Sequence, residues 1–368
     1  MMALDPTRRR LSPGMDGVLP HTRASVAQPS GTLLPATGRG EAAARFVLPV
    51  PTDLLKRPLR VYASLVSAPT MEARVDLAMR ELERIGAFSR RNIFVGVPTG
   101  GGHVNPVTLE LVERMVRGDV ASVAIQYGNA PSILSIGKVD DARRMVTALL
   151  TRVRDRIACE HPDGGGPRVL LYGESLGGWA SQSALDKAAR QAERGNVHVD
   201  PLHALGVDRV AWVGIPGFSR FPARELGPGG MQAFASADQI RTLDPATRRQ
   251  ARAWALSHFS DPVHRADISL IWRRPVWLPK HGPNPVGVDP AERWRPVLTF
   301  IDTLQMAFSS ANTERPGEFR ADGHDYRTEL PTLLRAAFGF EDVSDGELAR
   351  MTEQARQSEV WIMSQTWK

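Results

Sequence analysis

The chain has 368 residues, 42% of them hydrophobic and 23% charged, with 32 Gly, 28 Pro and one Cys, a balance that fits one large globular α/β domain or two smaller ones. Cys159 has no partner in the chain, so an intrachain disulfide framework is excluded and a cytoplasmic location is expected. The formal charge is +6, but the Arg residues are scattered and form no dense basic stripe or aromatic-interleaved module, which argues against nucleic acid as a partner.

Residues 1–44 are expected to be a flexible arm. The first 40 hold five Pro and five Gly with no helical or alternating apolar pattern, so they bury too little surface to offset the entropy of ordering. Arg8, Arg9 and Arg10 are followed at once by Pro13, Gly14, Asp16 and Gly17 instead of an apolar stretch, which argues against a secretory or twin-arginine signal. The longest charge-free run, 120–137, contains Gln126, Asn129, Pro131, Ser132 and Ser135, which would strand polar groups in lipid, so no integral membrane segment is expected.

From Arg60 onward, apolar runs alternate with amphipathic segments, the rhythm of a mainly parallel sheet covered by helices. Arg60–Ser67 reads as a strand. Pro69 and Thr70 open a helix with Met71, Val75, Met79 and Leu82 on one face, ended by Gly86. Asn92–Val97 is a second strand, followed by a helix near Thr108–Val116, a strand at Val120–Gln126 and a helix over about Val139–Ile157. Val169–Tyr172 reads as a strand buried on both faces, followed by a helix at Trp179–Arg194. Val210–Ile215 and Trp254–Phe259 are further strands. The Gly-, Pro- and Arg-rich segment 217–245 is expected to hold a lid or cap, or an ordinary surface excursion, and 346–368 a helical extension of a domain spanning 45–345.

The sharpest motif is Gly173-Glu174-Ser175-Leu176-Gly177, a G-x-S-x-G placed directly after a buried-type strand and before a helix. The bare pattern is expected by chance about 0.1 times in a chain of this length, so its context carries the weight. In such a nucleophile elbow, glycines flank a strained turn because larger side chains would collide with the adjoining strand and helix, and the serine hydroxyl is presented at the turn's tip. The chain order of that fold places an acid and then a histidine downstream. Asp261, directly after the strand ending at Phe259, is the expected acid, and His324, in the loop Asp322-Gly323-His324-Asp325-Tyr326, the expected base. Asp289, Asp302 and Asp322 compete for the first role, with Asp302 in a helical pattern and expected to face solvent. His258, His264 and His281 compete for the second.

Backbone donors for an oxyanion are expected from Leu176 and from Thr99, Gly100 and Gly101 in a glycine-rich loop after the strand Asn92–Val97. Glu174, His103 and Tyr326 are expected beside the substrate. Trp272, Trp277, Trp294, Arg273 and Arg274 are candidates to line its pocket, or else core and surface residues. The dispersed histidines and the absence of Walker or dinucleotide patterns lead to an expectation of no metal and no organic cofactor.

Several stretches together resemble a bacterial alpha/beta-hydrolase family formerly catalogued as a domain of unknown function: RVYASLVSAPTMEARVDLAMRELERIGAF (60–88), VPTGGGHVNP (97–106), LLYGESLG (170–177), HFSDPV (258–263), LIWRRPVWL (270–278), RWRPVLTF (293–300) and GHDY (323–326). The resemblance implies an alpha/beta-hydrolase fold and a serine hydrolase with Ser175, Asp261 and His324 as nucleophile, acid and base. Members of that family often carry a multi-pass membrane segment ahead of the hydrolase domain, where a polar arm stands here. Their late histidine lies in a motif closer to Gly-His-Gly-His. The expected activity is hydrolysis of an ester, thioester or activated amide in a small-molecule or peptidyl acyl substrate. Acyl transfer or cyclisation by the same groups, or ligand binding without catalysis, are the alternatives.

Overall fold

Runs such as Asn92–Val97 and Val120–Ile125 bury every residue, which a strand achieves only with a layer of helices on each face of its sheet. The structure, a computed structural model, describes residues 25–26, 51, 54–128, 137–219, 221–222, 226, 229–309 and 315–366. Most of the expected N-terminal arm and parts of the expected 217–245 lid therefore lie outside the described residues. The strands are β1 (Ser25–Val26), β2 (Leu59–Ala63), β3 (Asn92–Val97), β4 (Val120–Ile125), β5 (Arg168–Glu174), β6 (Arg209–Val213), β7 (Met231–Phe234) and β8 (Ala253–Leu256). They form one sheet in the order β1-β2-β4-β3-β5-β6-β8-β7, in which β2 to β8 are all parallel and β1 is antiparallel to β2.

Strand alternation divides the core in two. On one face Val61, Ile93, Val95, Val169, Leu171 and Trp212 pack under α1 (Met71–Arg84), α3 (Val139–Glu160) and α4 (Leu176–Arg194). On the other, Tyr62, Phe94, Leu170, Tyr172 and Ala211 meet α2 (Pro106–Met115), α10 (Leu330–Phe338) and α11 (Asp345–Thr366). Short helices α5 (Pro201–Ala204), α6 (Ala237–Arg241), α7 (Pro245–Gln250) and α8 (Pro262–Arg265) fill the crossovers around β6 to β8, and α9 (Leu298–Ser309) packs on α8. A small separate cluster of Leu270, Trp277, Leu278 and Val288 forms beyond α8.

Local chemistry explains the boundaries. The strand expected over Arg60–Ser67 stops at Ala63 because Ser64 and Ser67 close a turn, with Ser67 N–H bonded to Ser64 O at 3.1 Å and the two hydroxyls 2.9 Å apart. Thr70 caps α1 by accepting from Ala73 N–H at 3.1 Å, with Glu72 in the first turn. β7 lies inside the segment expected as a lid or excursion and forms the sheet's far edge.

Candidate active site

β5 runs into Ser175, whose φ of 54° and ψ of −124° make it one of few non-glycine residues with positive φ, and α4 begins at the next residue. The turn is that tight because its glycines touch their surroundings. A Cβ on Gly173 would lie 2.7 Å from Gly178 Cα, and one on Gly177 would lie 2.4 and 2.5 Å from the Val97 and Pro98 carbonyl oxygens. The second contact seats the N-terminus of α4 against the end of β3, so the Leu176 backbone adjoins the loop that starts at Pro98. Ser175 N–H bonds to Val213 O at 2.9 Å, and its buried Oγ has no hydrogen-bond partner among the described residues.

Asp261 is fully buried and serves two purposes. As N-cap of α8 its Oδ1 accepts Val263 N–H at 2.8 Å, with Pro262 at the first helical position. Its Oδ2 accepts His324 Nδ1–H at 2.8 Å and the Tyr326 hydroxyl at 2.6 Å. Burial pushes this carboxyl up, but the charge and hydrogen bond of His324, the Tyr326 hydroxyl and the Val263 amide outweigh it and hold the acid below the ordinary carboxylate range. Burial and the charge and hydrogen bond of Asp261 push the Tyr326 phenol well above its usual value, so it stays a donor. The His324 ring lies over Gly214, where a Cβ would come within 2.6 Å of Cε1. Gly214 follows Val213, the residue that receives Ser175 N–H, so His324 and Ser175 are brought to adjacent strand ends.

The glycine-rich loop is fastened at the carboxyl end of β3. Thr99 N–H bonds to His103 O and Gly102 N–H to Thr99 O, both at 2.9 Å, while the Tyr62 hydroxyl donates to Gly102 O at 2.9 Å. Gly102 has φ 83° and sits so close to Gly128 O and the Gln126 side chain that a Cβ would lie 2.4 and 2.5 Å from them. Gln126 in turn accepts Leu65 N–H and donates to Gly128 O. Tyr62 and Gln126 carry no motif of their own; their role shows only when β2, β4 and the loop meet.

The expected site residues sort by position. Ser175, Leu176, Asp261, His324 and the Thr99–Gly101 loop gather at the carboxyl edge of the sheet. His103 is exposed beside Gly101. Glu174 is buried and accepts the Tyr172 hydroxyl at 2.9 Å, on the face of β5 that meets α2 and α10. Tyr326, expected beside substrate, is 2% exposed and turns its hydroxyl to the acid, because the turn that carries His324 folds it inward. Among the rivals, His258 is engaged by Gly323 and Glu329, His264 Nδ1 contacts Ile215 O at 2.9 Å, and His281 is exposed. Asp289 caps Ala291 N–H, Asp302 is exposed and paired with Arg295, and Asp322 is exposed. Trp277 is core, under the Arg265 guanidinium at 3.8 Å, whereas Trp272 is 65% exposed. Among the described residues no three His, Cys, Asp or Glu side chains gather as a metal site would require, and no helix is long and apolar enough to cross a membrane.

A seven-stranded parallel sheet with helices on both faces and a serine at a strand-to-helix elbow defines the alpha/beta-hydrolase class. A sequence profile described as the alpha/beta-hydrolase family matches residues 59–351, and the chain belongs to that family. No curated protein matches it. Among solved structures it is similar to an acetylxylan esterase, with 15% identity and a TM-score of 0.30 over 47% of this chain and 84% of that one. It is also similar to a cutinase-like protein from Cryptococcus sp., with 13% identity and a TM-score of 0.26 over 48% of this chain and 80% of that one.

Proposed function

We propose that the chain is a serine hydrolase that cleaves an ester, thioester or activated amide of a small-molecule or peptidyl acyl substrate. The observation that carries this reading is the hydrogen bond between buried Asp261 and His324, set over the strand end next to an elbow serine whose buried hydroxyl has no hydrogen-bond partner among the described residues. In this mechanism Ser175 Oγ attacks the acyl carbonyl while His324 Nε2 takes its proton. Asp261 holds Nδ1–H, fixing the tautomer and stabilising the imidazolium. The oxyanion is received by the Leu176 N–H, which at the first helical position has no intrahelical acceptor, and by backbone donors of Gly100 and Gly101, the Thr99 N–H being held by the His103 carbonyl. His324 returns its proton to the leaving group, and water released onto the acyl-enzyme by the same base completes hydrolysis.

Turnover of short-chain aryl esters tests this. Wild type is expected to hydrolyse them, with kcat lowered by about 10⁴-fold or more in Ser175→Ala and in His324→Ala while both variants keep the wild-type melting temperature to within a few degrees. Equal rates in wild type and Ser175→Ala would remove the assignment.

A further inference from the structure

His258 stands three residues before the proposed acid, and the reaction above makes no use of it. It is 5% exposed, and both ring nitrogens meet oxygen acceptors. Nδ1 is 2.9 Å from the Gly323 carbonyl oxygen, and Nε2 is hydrogen-bonded to the Glu329 carboxylate. A ring between two acceptors donates on both sides, so the His258–Glu329 pair holds one proton more than a neutral imidazole and a carboxylate. The ring also stacks on Tyr326, with centroids 4.3 Å apart and planes 18° apart, and the His258 N–H donates to the Tyr326 hydroxyl at 3.1 Å. Three points of the segment that carries His324 are thus tied to one side chain: residue 323 by its carbonyl, 326 by its ring and 329 by its carboxylate.

Resting on the assignment of Ser175, Asp261 and His324 above, we propose that His258 is a positioning residue, a buried imidazolium that with Glu329 clamps the Gly323–Tyr326 turn and so sets the angle at which His324 faces Ser175. The titratable groups acting on the ring are Glu329 at the start of α10, Asp261 ahead of α8 and Tyr326 on the turn, whose own ring meets His324 edge-on; the neighbouring Asp325 is taken by Arg327. Burial pulls the His258 pKa down, but the hydrogen bond and charge of Glu329, the Gly323 carbonyl and the charge of Asp261 outweigh it and raise the group above its ordinary value. The clamp is therefore complete below about pH 6.5 and released as pH rises through the higher folded value. Tyr326, held well above its own ordinary value, keeps its proton meanwhile.

The full-length protein with ¹⁵N-labelled histidine rings reports the proton directly, the His258 signals being those lost in His258→Asn. Rates of Ser175 phosphonylation by a fluorophosphonate, measured for wild type, His258→Asn and Glu329→Gln from about pH 6 to about pH 10, report its consequence. Both His258 ring nitrogens are expected to be protonated at about pH 6.5, where an ordinary imidazole is half neutral. The wild-type rate is expected to fall about tenfold along an alkaline limb that coincides with the loss of that proton. Glu329→Gln, which keeps size and packing, shifts the limb down by about one pH unit or more, and His258→Asn is slow throughout and lacks the limb. A neutral His258 ring at about pH 6.5, or one pH profile shared by all three proteins, overturns the proposal. A folded wild type that takes no adduct on Ser175 overturns the proposed function and the positioning role with it, and is told apart by the ring signals, which read the proton independently.

Discussion

A single oxygen of Asp261 receives both His324 and Tyr326, while the other is fixed by the Val263 amide, so the acid cannot rotate without breaking a bond to a buried donor. A hydrogen bond to a charged acceptor contributes about 1.5–3 kcal/mol, and Tyr326→Phe deletes one, together with the acceptor of the His258 backbone N–H, while keeping the ring that stacks on His258. The expected result is a fall in kcat of about tenfold with KM for the same ester changed by less than about twofold, measured by steady-state hydrolysis; a change confined to KM would return Tyr326 to the substrate face. As candidates, Ser175, Asp261 and His324 were legible because the elbow motif points to the first and chain order narrows the others. The contacts of Tyr326 and His258 were not, because their partners lie 65 and 71 residues away and no local spacing encodes such a meeting.

At the scale of elements, Gly177 joins α4 to β3, and the added methyl of Gly177→Ala would press on two backbone carbonyls that cannot swing aside. Overpacking of this kind costs about 1–3 kcal/mol, and it also lifts Leu176 from the Thr99–Gly101 loop. Thermal melts and ester kinetics together check this: the melting temperature falls by several degrees and the rate by about a hundredfold, whereas Gly165→Ala, with nothing within 4 Å of its Cβ, changes neither. Asn92–Val97 was readable residue for residue, since a run buried on both faces leaves its apolar signature unbroken. β7 was not, because Met231–Phe234 is a half-buried edge strand within Gly- and Pro-rich sequence. α9 carries Asp302 on an exposed side, as its helical pattern suggested, but its inner side holds polar groups that no apolar pattern marks: Thr299 and Thr303 are buried, with Thr303 Oγ1 donating to Thr299 O at 2.7 Å, and Ile301 is 50% exposed.

Across the whole molecule, buried ion pairs tie the helical layers to the sheet and to the loop that bears His324. Arg60 binds Glu113 through two nitrogens, joining β2 to α2. Arg327, 2% exposed, binds both Asp325 and Glu359, so α11 anchors the residue that follows His324. These contacts and the proposed reacting groups share the same loop, so stability and activity respond to pH together. The Asp261 pKa is depressed, so its contribution is present above about pH 3.9 and lost as pH falls through its lower folded value. The His258 pKa is raised, so its contribution is present below about pH 6.5 and lost as pH rises through its folded value. Urea unfolding across this range is expected to show greatest stability between about pH 4 and about pH 6.5, with the acid limb flattened in Asp261→Asn; an acid limb unchanged by that substitution would assign acid lability elsewhere.

An activated serine at the carboxyl edge of this sheet would react with a fluorophosphonate, and the adduct is read by intact-mass measurement after exposure. A single adduct on Ser175, absent from Ser175→Ala and formed about 10³-fold more slowly in His324→Ala, is the expected result. A folded wild-type protein that takes no adduct, or an adduct that persists in Ser175→Ala, would contradict it.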